Sequence, residues 1–202
     1  MGIKERRVRE KADRKQLILE VAQRLAAKEG WQAVTIRKIA NEIEYSIPTI
    51  YEHFASKEEL LRELMLAGFR LLLAQIKSAR LQAATPDHEV KRIGEAYWEF
   101  AWAYPELYQV MHGLGGVMFG TPDTFPEIRE VFWGIRDAVA KLPGGKDRTP
   151  EQLNDLVDLF WSTLHGLISL TMNGRIAGER ERAAKLALFA VEQFLLLLNP
   201  AK

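Results

Sequence analysis

The 202-residue sequence contains no cysteine. That excludes disulfides, zinc ribbons and thiol nucleophiles, and it leads us to expect the reducing cytoplasm. No run approaches the ~18 apolar residues that a membrane helix needs. The densest, Phe194 to Leu198, is far shorter, so no membrane partner is expected. The opening MGIKERRVREKADRK is charged and lacks the apolar centre of a secretory signal. Strand-like alternation, internal repeats and low-complexity tracts are also missing. The histidines have no paired metal-ligand spacing, and no nucleophile–base pair or acidic dyad is evident. No metal, cofactor or catalytic residue is therefore expected.

What is there is apolar content and helical periodicity. A hydrophobic fraction of 48% supports a core, and the length suits one compact unit or two small packed ones. The net charge is only +1, but it is unevenly spread. Residues 1–62 carry thirteen Lys/Arg against ten Asp/Glu, and the first fifteen carry seven against three. The rest of the chain is slightly acidic. A basic end of this kind is either a solvated, frayed tail or an arm that meets nucleic acid.

The most informative stretch is Thr35 to Lys57, TIRKIANEIEYSIPTIYEHFASK. Ile36, Ile39, Ala40 and Ile43 form one helical stripe. A second stripe runs through Ile47, Ile50, Tyr51 and Phe54. Glu44-Tyr45-Ser46 between them has room only for a turn. Ser46 suits an N-cap, and Pro48 suits the first turn that follows. This is a helix-turn-helix layout, whose second helix enters the DNA major groove.

The string IRKIANEIEYSIPTIYEHFASKEEL resembles the DNA-binding head of the tetracycline-repressor (TetR) family of transcriptional regulators. The residues carrying the likeness are Ile39-Ala40, Thr49-Ile50-Tyr51, His53-Phe54 and Ser56 to Leu60. One departure is Glu44, where the family often has a glycine; a left-handed backbone there costs other residues something. The resemblance implies phosphate contacts from Thr35 and Arg37, from Tyr51 and His53, and from Lys57. It implies base reading by Ser46, Ile47, Pro48 and Thr49, short or apolar residues suited to thymine methyls. Ile50 reads as core; Ile47 fits core and base contact alike. Arg6, Arg7 and Arg9 either reach the minor groove or stay unordered until DNA is present.

Capping signals predict an all-α chain of nine helices. The first starts near Asp13 and ends at Gly30. After the two short ones, the fourth opens at Ser56-Lys-Glu-Glu59 and runs to about Arg80. Thr85-Pro86 and Pro105 open the fifth and sixth, the latter reaching about Met111. A glycine-rich connector, His112 to Gly116, runs on to Thr121-Pro122-Asp123. The seventh spans about Pro126 to Leu142, the eighth Thr149-Pro150 to Met172, and the ninth Arg180 to Leu198. This order resembles the whole TetR architecture: a head over residues 1–62, and a ligand-binding and dimerising body over 63–202. Trp161, His165 and Gly166 resemble the hallmark of one C-terminal subgroup.

The middle of the chain concentrates aromatic and methionine residues, including Met118 and Phe119. Such a set is either helical core or the lining of an apolar site. The site candidates are Trp98, Trp102, Tyr108, Met111, Phe132 and Trp161, with His112 and His165 as polar contacts or as structural histidines. Charges are sparse from Tyr97 to Thr124, which favours an apolar or aromatic effector over a highly anionic one. Helix nine is apolar nearly all round, so it is either central in a monomer or covered by a partner. The expectation is a homodimer through helices eight and nine, with Phe194 on the partner-facing side.

The resulting reading is a ligand-responsive DNA-binding regulator, most simply a repressor released from a palindromic double-stranded operator by a small molecule. The alternative is an all-helical ligand carrier or enzyme with an incidental helix-turn-helix.

Overall fold

A computed structural model describes residues 2–113 and 124–199. Among these residues the chain is all-α. The helices are α1 (Ile3–Glu29), α2 (Ile36–Glu42), α3 (Ile47–Tyr51), α4 (Lys57–Leu81), α5 (Pro86–Ala103), α6 (Pro105–Gly113), α7 (Pro126–Ala140), α8 (Pro150–Met172) and α9 (Glu179–Leu198). A single 3-10 turn, Trp31–Ala33, precedes α2. The predicted connector residues Gly115 and Gly116, the Thr121-Pro122-Asp123 turn, Met118 and Phe119 lie outside the described residues.

Helix α1 begins at Ile3, ten residues before the expected start at Asp13. The intervening residues are mostly Lys, Arg and Glu, good helix formers. Glu5 accepts the Gly2 N–H at 3.0 Å, and Arg6 pairs with Glu10 one turn on at 2.8 Å. A helix thus carries Arg6, Arg7 and Arg9, where the sequence suggested an arm. Other boundaries follow their caps. Thr85 Oγ1 accepts the His88 N–H at the start of α5, and Thr149 with Gln152 forms a reciprocal box at the start of α8. At α4 the box is displaced by one residue. Ser56 Oγ accepts the Glu59 N–H, while the Glu59 carboxylate accepts from Ala55.

The chain packs as two compact units, formed from the described residues of Met1–Gly68 with Glu106–Gly116, and of Phe69–Pro105 with Val117–Lys202. In the first unit, Ile18, Ile39, Ile50, Phe54, Leu60 and Met65 are fully buried. Lys15 bridges α1 to Glu63 of α4 at 2.9 Å. Helix α6 belongs to this unit: Trp31 Nε1 donates to the Glu106 carbonyl at 3.0 Å, and Met111 packs on Gly68.

The second unit surrounds α5, whose Val90, Ile93, Phe100 and Ala101 are buried. At Gly94 the approach is too close for a side chain, since a Cβ would lie 2.9 Å from Val191 and 3.4 Å from Phe160. Phe160 of α8 meets Phe194 of α9 at 5.2 Å between ring centroids. Phe194 is only 7% exposed, so it is core and not a partner-facing residue. A buried carboxylate ties α4, α5 and α7: Glu89 accepts from Arg80 and Lys141, each at 2.7 Å. Burial pushes the Glu89 carboxyl up, but the hydrogen bonds and charges of Lys141 and Arg80 outweigh it and hold the group below its usual range.

Candidate functional site

Helices α2 and α3 build one surface of the first unit. Thr35 caps α2, with its Oγ1 accepting the Lys38 N–H at 3.2 Å. Ser46 caps α3 by accepting the Thr49 N–H, and its hydroxyl bonds that of Thr49 at 2.8 Å. Pro48 sits in the first turn, where no N–H is required. Ile50 is fully buried and anchors α3 from within, whereas Ile47 is 40% exposed. The two isoleucines of one helical stripe therefore differ in burial, Ile50 lying in the core and Ile47 at its exposed edge.

Ser46, Ile47, Pro48 and Tyr51 are exposed on α3, and Thr35 and Arg37 are exposed at the start of α2. Lys57 opens α4 and is partly exposed. His53 is half-buried in a hollow shared with Arg7, Glu10, Lys11 and Arg14 of α1 and with Glu52, and its Nδ1 is buried without a hydrogen-bond partner. Burial, then the Lys11 charge, hold the imidazole below its ordinary 6.5, against the smaller opposing effect of Glu52. The surface is therefore a short helix with exposed small and apolar residues, flanked by cations and hydroxyl donors. Such groups suit phosphate oxygens at the edge and base edges in the groove.

The predicted ligand residues are divided between the two units. Tyr108, Met111 and His112 belong to the first. Tyr108 and Met111 are each 2% exposed, and the Tyr108 ring meets His112 edge-on at 4.6 Å. Trp98, Trp102, Phe132, Trp161 and His165 belong to the second. Trp98 and Trp102 lie 5.7 Å apart, and Arg180 stacks over Trp102 at 5.2 Å. Trp161 donates to the Tyr97 hydroxyl at 3.0 Å and stacks on His165 at 5.3 Å. Burial holds the His165 imidazole below its usual range.

Phe132 and Trp161 line a cavity of about 830 Å³ between α7 and α8, together with Arg129, Trp133, Arg136, Asn154 and Asp158. Its size falls within the range of roughly 300–1,000 Å³ typical of small-molecule sites. Arg129 lies over the Trp133 ring at 5.4 Å. Burial, then the nearby Asp155 charge, push the Asp158 carboxyl up. The polar members were missed in the sequence, although a signal existed. Arg129, Trp133 and Arg136 follow the three-and-four spacing of one helical face, as do Asn154, Asp158 and Trp161. Among the described residues no metal-holding cluster occurs, and no helix is long and apolar enough to cross a membrane.

Comparison with known proteins gives a consistent result. Residues 18–64 match the family model described as bacterial regulatory proteins, tetR family. Residues 90–194, just over half of the chain, match that of the tetracyclin repressor-like C-terminal domain. An uncharacterized HTH-type transcriptional regulator of Mycobacterium tuberculosis is 26% identical over 157 residues, covering 78% of this chain and 69% of the relative. Among solved structures, a TetR-family transcriptional regulator from Bordetella parapertussis shares the fold at TM-score 0.67 and 23% identity, covering 93% of this chain and 97% of that one. PfmR, a TetR family transcriptional regulator from Thermus thermophilus, does so at 0.62 and 22%, covering 92% and 98%. The chain belongs to the tetR family of bacterial regulatory proteins, DNA-binding regulators of transcription.

Proposed function

We propose that this regulator is a cytoplasmic homodimeric repressor without enzymatic activity, released from a palindromic operator when a small molecule binds its body. The observation that carries the reading is α3. Its buried Ile50 fixes the helix while Ser46, Ile47, Pro48 and Tyr51 stay exposed. A five-residue helix offers few contacts, so tight binding calls for two heads on one palindrome. The DNA contacts are assigned to Thr35, Arg37, Tyr51, His53 and Lys57 on phosphates and to Ser46 through Thr49 on bases. The head is taken as residues 1–62 and the body as 63–202. Trp161, His165 and Gly166 support placing the body in the Trp-His-Gly subgroup.

The dimer reading draws on the second unit. Leu159 and Leu170 of α8 and Leu188, Phe189, Leu196 and Leu197 of α9 are each 40% or more exposed. Large apolar side chains on two adjacent helices favour a covering partner, and a second copy paired about a two-fold axis buries the same patch on both. The effector reading rests on the α7–α8 cavity and its aromatic walls. A coupling of ~1–3 kcal/mol between effector and operator suffices for a several-fold or larger change in affinity.

A reporter driven by the DNA upstream of the chain's own gene tests the repressor role. Expression should fall when the chain is supplied. Increased expression would assign an activator instead.

A further inference from the structure

Building on the effector-released reading above, we propose that the α7–α8 cavity takes an aromatic carboxylic acid, with its anion on Arg129 and its ring against Phe132, Trp133 and Trp161.

Two unpaired polar atoms carry the assignment. Arg129 Nε is buried and has no acceptor, and Asn154 Oδ1 is buried and has no donor. Both residues line this cavity. Buried polar atoms are nearly always paired, and a site shaped for a ligand is where the exceptions persist. The missing partners define the ligand's chemistry. Arg129 needs an acceptor. The Nε–H beside a terminal N–H is the donor pair that meets a planar carboxylate through two parallel bonds. The Arg129 guanidinium carbon lies 5.4 Å from the centroid of the Trp133 ring, so cation and aromatic wall are already paired. Asn154 needs a donor, such as a hydroxyl or amine on the ring.

Charge narrows the class further. Among the described residues the lining holds two guanidiniums, Arg129 and Arg136, against one carboxylate, Asp158. Neither arginine forms an ion pair with a described residue. A cationic ligand would face the two arginines, and a neutral hydrocarbon would leave Arg129 Nε unpaired. A polyanion would meet Asp158 and gain nothing from the three aromatic walls. A single carboxylate on an aromatic frame meets Arg129 and the aromatic walls, and a hydroxyl or amine on the ring would meet Asn154. The charge-poor stretch from Tyr97 to Thr124 disfavoured a highly anionic effector, which a single carboxylate on an aromatic frame is not; the cations of α7 lie just beyond it.

The test uses two probes of the same shape, 2-naphthoate and its neutral counterpart 2-naphthamide. Binding to the full chain is read by calorimetry without DNA. The wild type should bind the acid at least about tenfold more tightly than the amide. Arg129→Gln should weaken the acid about tenfold or more and leave the amide within about twofold. Asn154→Asp keeps the shape of its site and adds a repelling charge, so it should weaken the acid selectively. If thermal melts show Arg129→Gln to be unfolded, Asn154→Asp decides the question. Equal wild-type affinity for both probes, failure of the acid to bind at millimolar concentration, or unchanged acid binding in the folded variants would overturn the assignment. If the acid binds as expected but leaves the operator complex intact, the regulatory reading fails and the cavity assignment stands.

Discussion

Tyr45 donates its backbone N–H to the Ala40 carbonyl at 2.9 Å, while the Glu44 N–H reaches Asn41 at 3.3 Å. Together these bonds form the Schellman closure of α2, and they require a left-handed residue at Glu44, whose φ is 56°. A residue with a Cβ is strained there by ~1–2 kcal/mol. Glycine removes the strain but adds entropy to the unfolded chain. The expected outcome for Glu44→Gly is a gain of about 1 kcal/mol, read as a higher denaturation midpoint. An unchanged or lower midpoint would count against strain at this turn.

The same position shows what the sequence made legible and what it did not. The turn was located by its two apolar stripes, and the absent glycine marked the unusual residue. Caps at Ser46, Thr85 and Thr149 were equally readable, because each is a local contest between a side chain and a free backbone donor. The α1 start was misplaced, since a plausible box at Asp13 lies inside a longer charged helix. The side on which Phe194 lies was not legible either. On a helix apolar all round, periodicity cannot say which face a neighbour takes, and the Phe160 ring decides it. Nor did the aromatic cluster reveal that its members fall in two separate units.

Glu89 is a second point of leverage. Removing it leaves Arg80 and Lys141 without their shared carboxylate. Breaking a fully buried pair costs about 3–5 kcal/mol. Lys141 is half exposed, so Glu89→Ala should cost nearer 2 kcal/mol by denaturant unfolding. Because the folded Glu89 carboxyl lies below its ordinary 4.5, its contribution is present above that pH and is lost as pH falls through the lower folded value. The acid limb of the wild-type stability curve should therefore be steeper than that of Glu89→Gln. Parallel limbs would show that the clamp contributes nothing.

His53 should couple DNA binding to protons. Its imidazole lies below 6.5 in the free protein, and an adjacent phosphate would draw it up. Binding then takes up a proton, so affinity should fall as pH rises through the value reached in the complex. Titrations across this window should show that slope in the wild type and a flatter one in His53→Gln. Identical slopes would remove His53 from the interface.

Phe189 is 57% exposed on α9, whereas Phe194 is buried. Phe189→Glu should shift the chain toward monomer in sedimentation while preserving its helical signal. Phe194→Glu should unfold the body instead. A Phe189→Glu chain that sediments as a dimer at micromolar concentration would place the interface elsewhere.

The central claim, that α3 reads DNA sequence while its neighbours hold phosphates, is tested most directly by anisotropy titration. Wild type, Lys57→Ala and Thr49→Val are compared on a duplex from upstream of the chain's own gene and on a scrambled duplex, over a range of salt. The wild type should prefer the upstream duplex by at least about a thousandfold. Lys57→Ala should weaken both duplexes alike and lower the salt slope by about one per head. Thr49→Val should shrink the preference and leave binding to the scrambled duplex unchanged. Equal wild-type affinity for the two duplexes, or a preference untouched by Thr49→Val and altered by Lys57→Ala, would contradict the account.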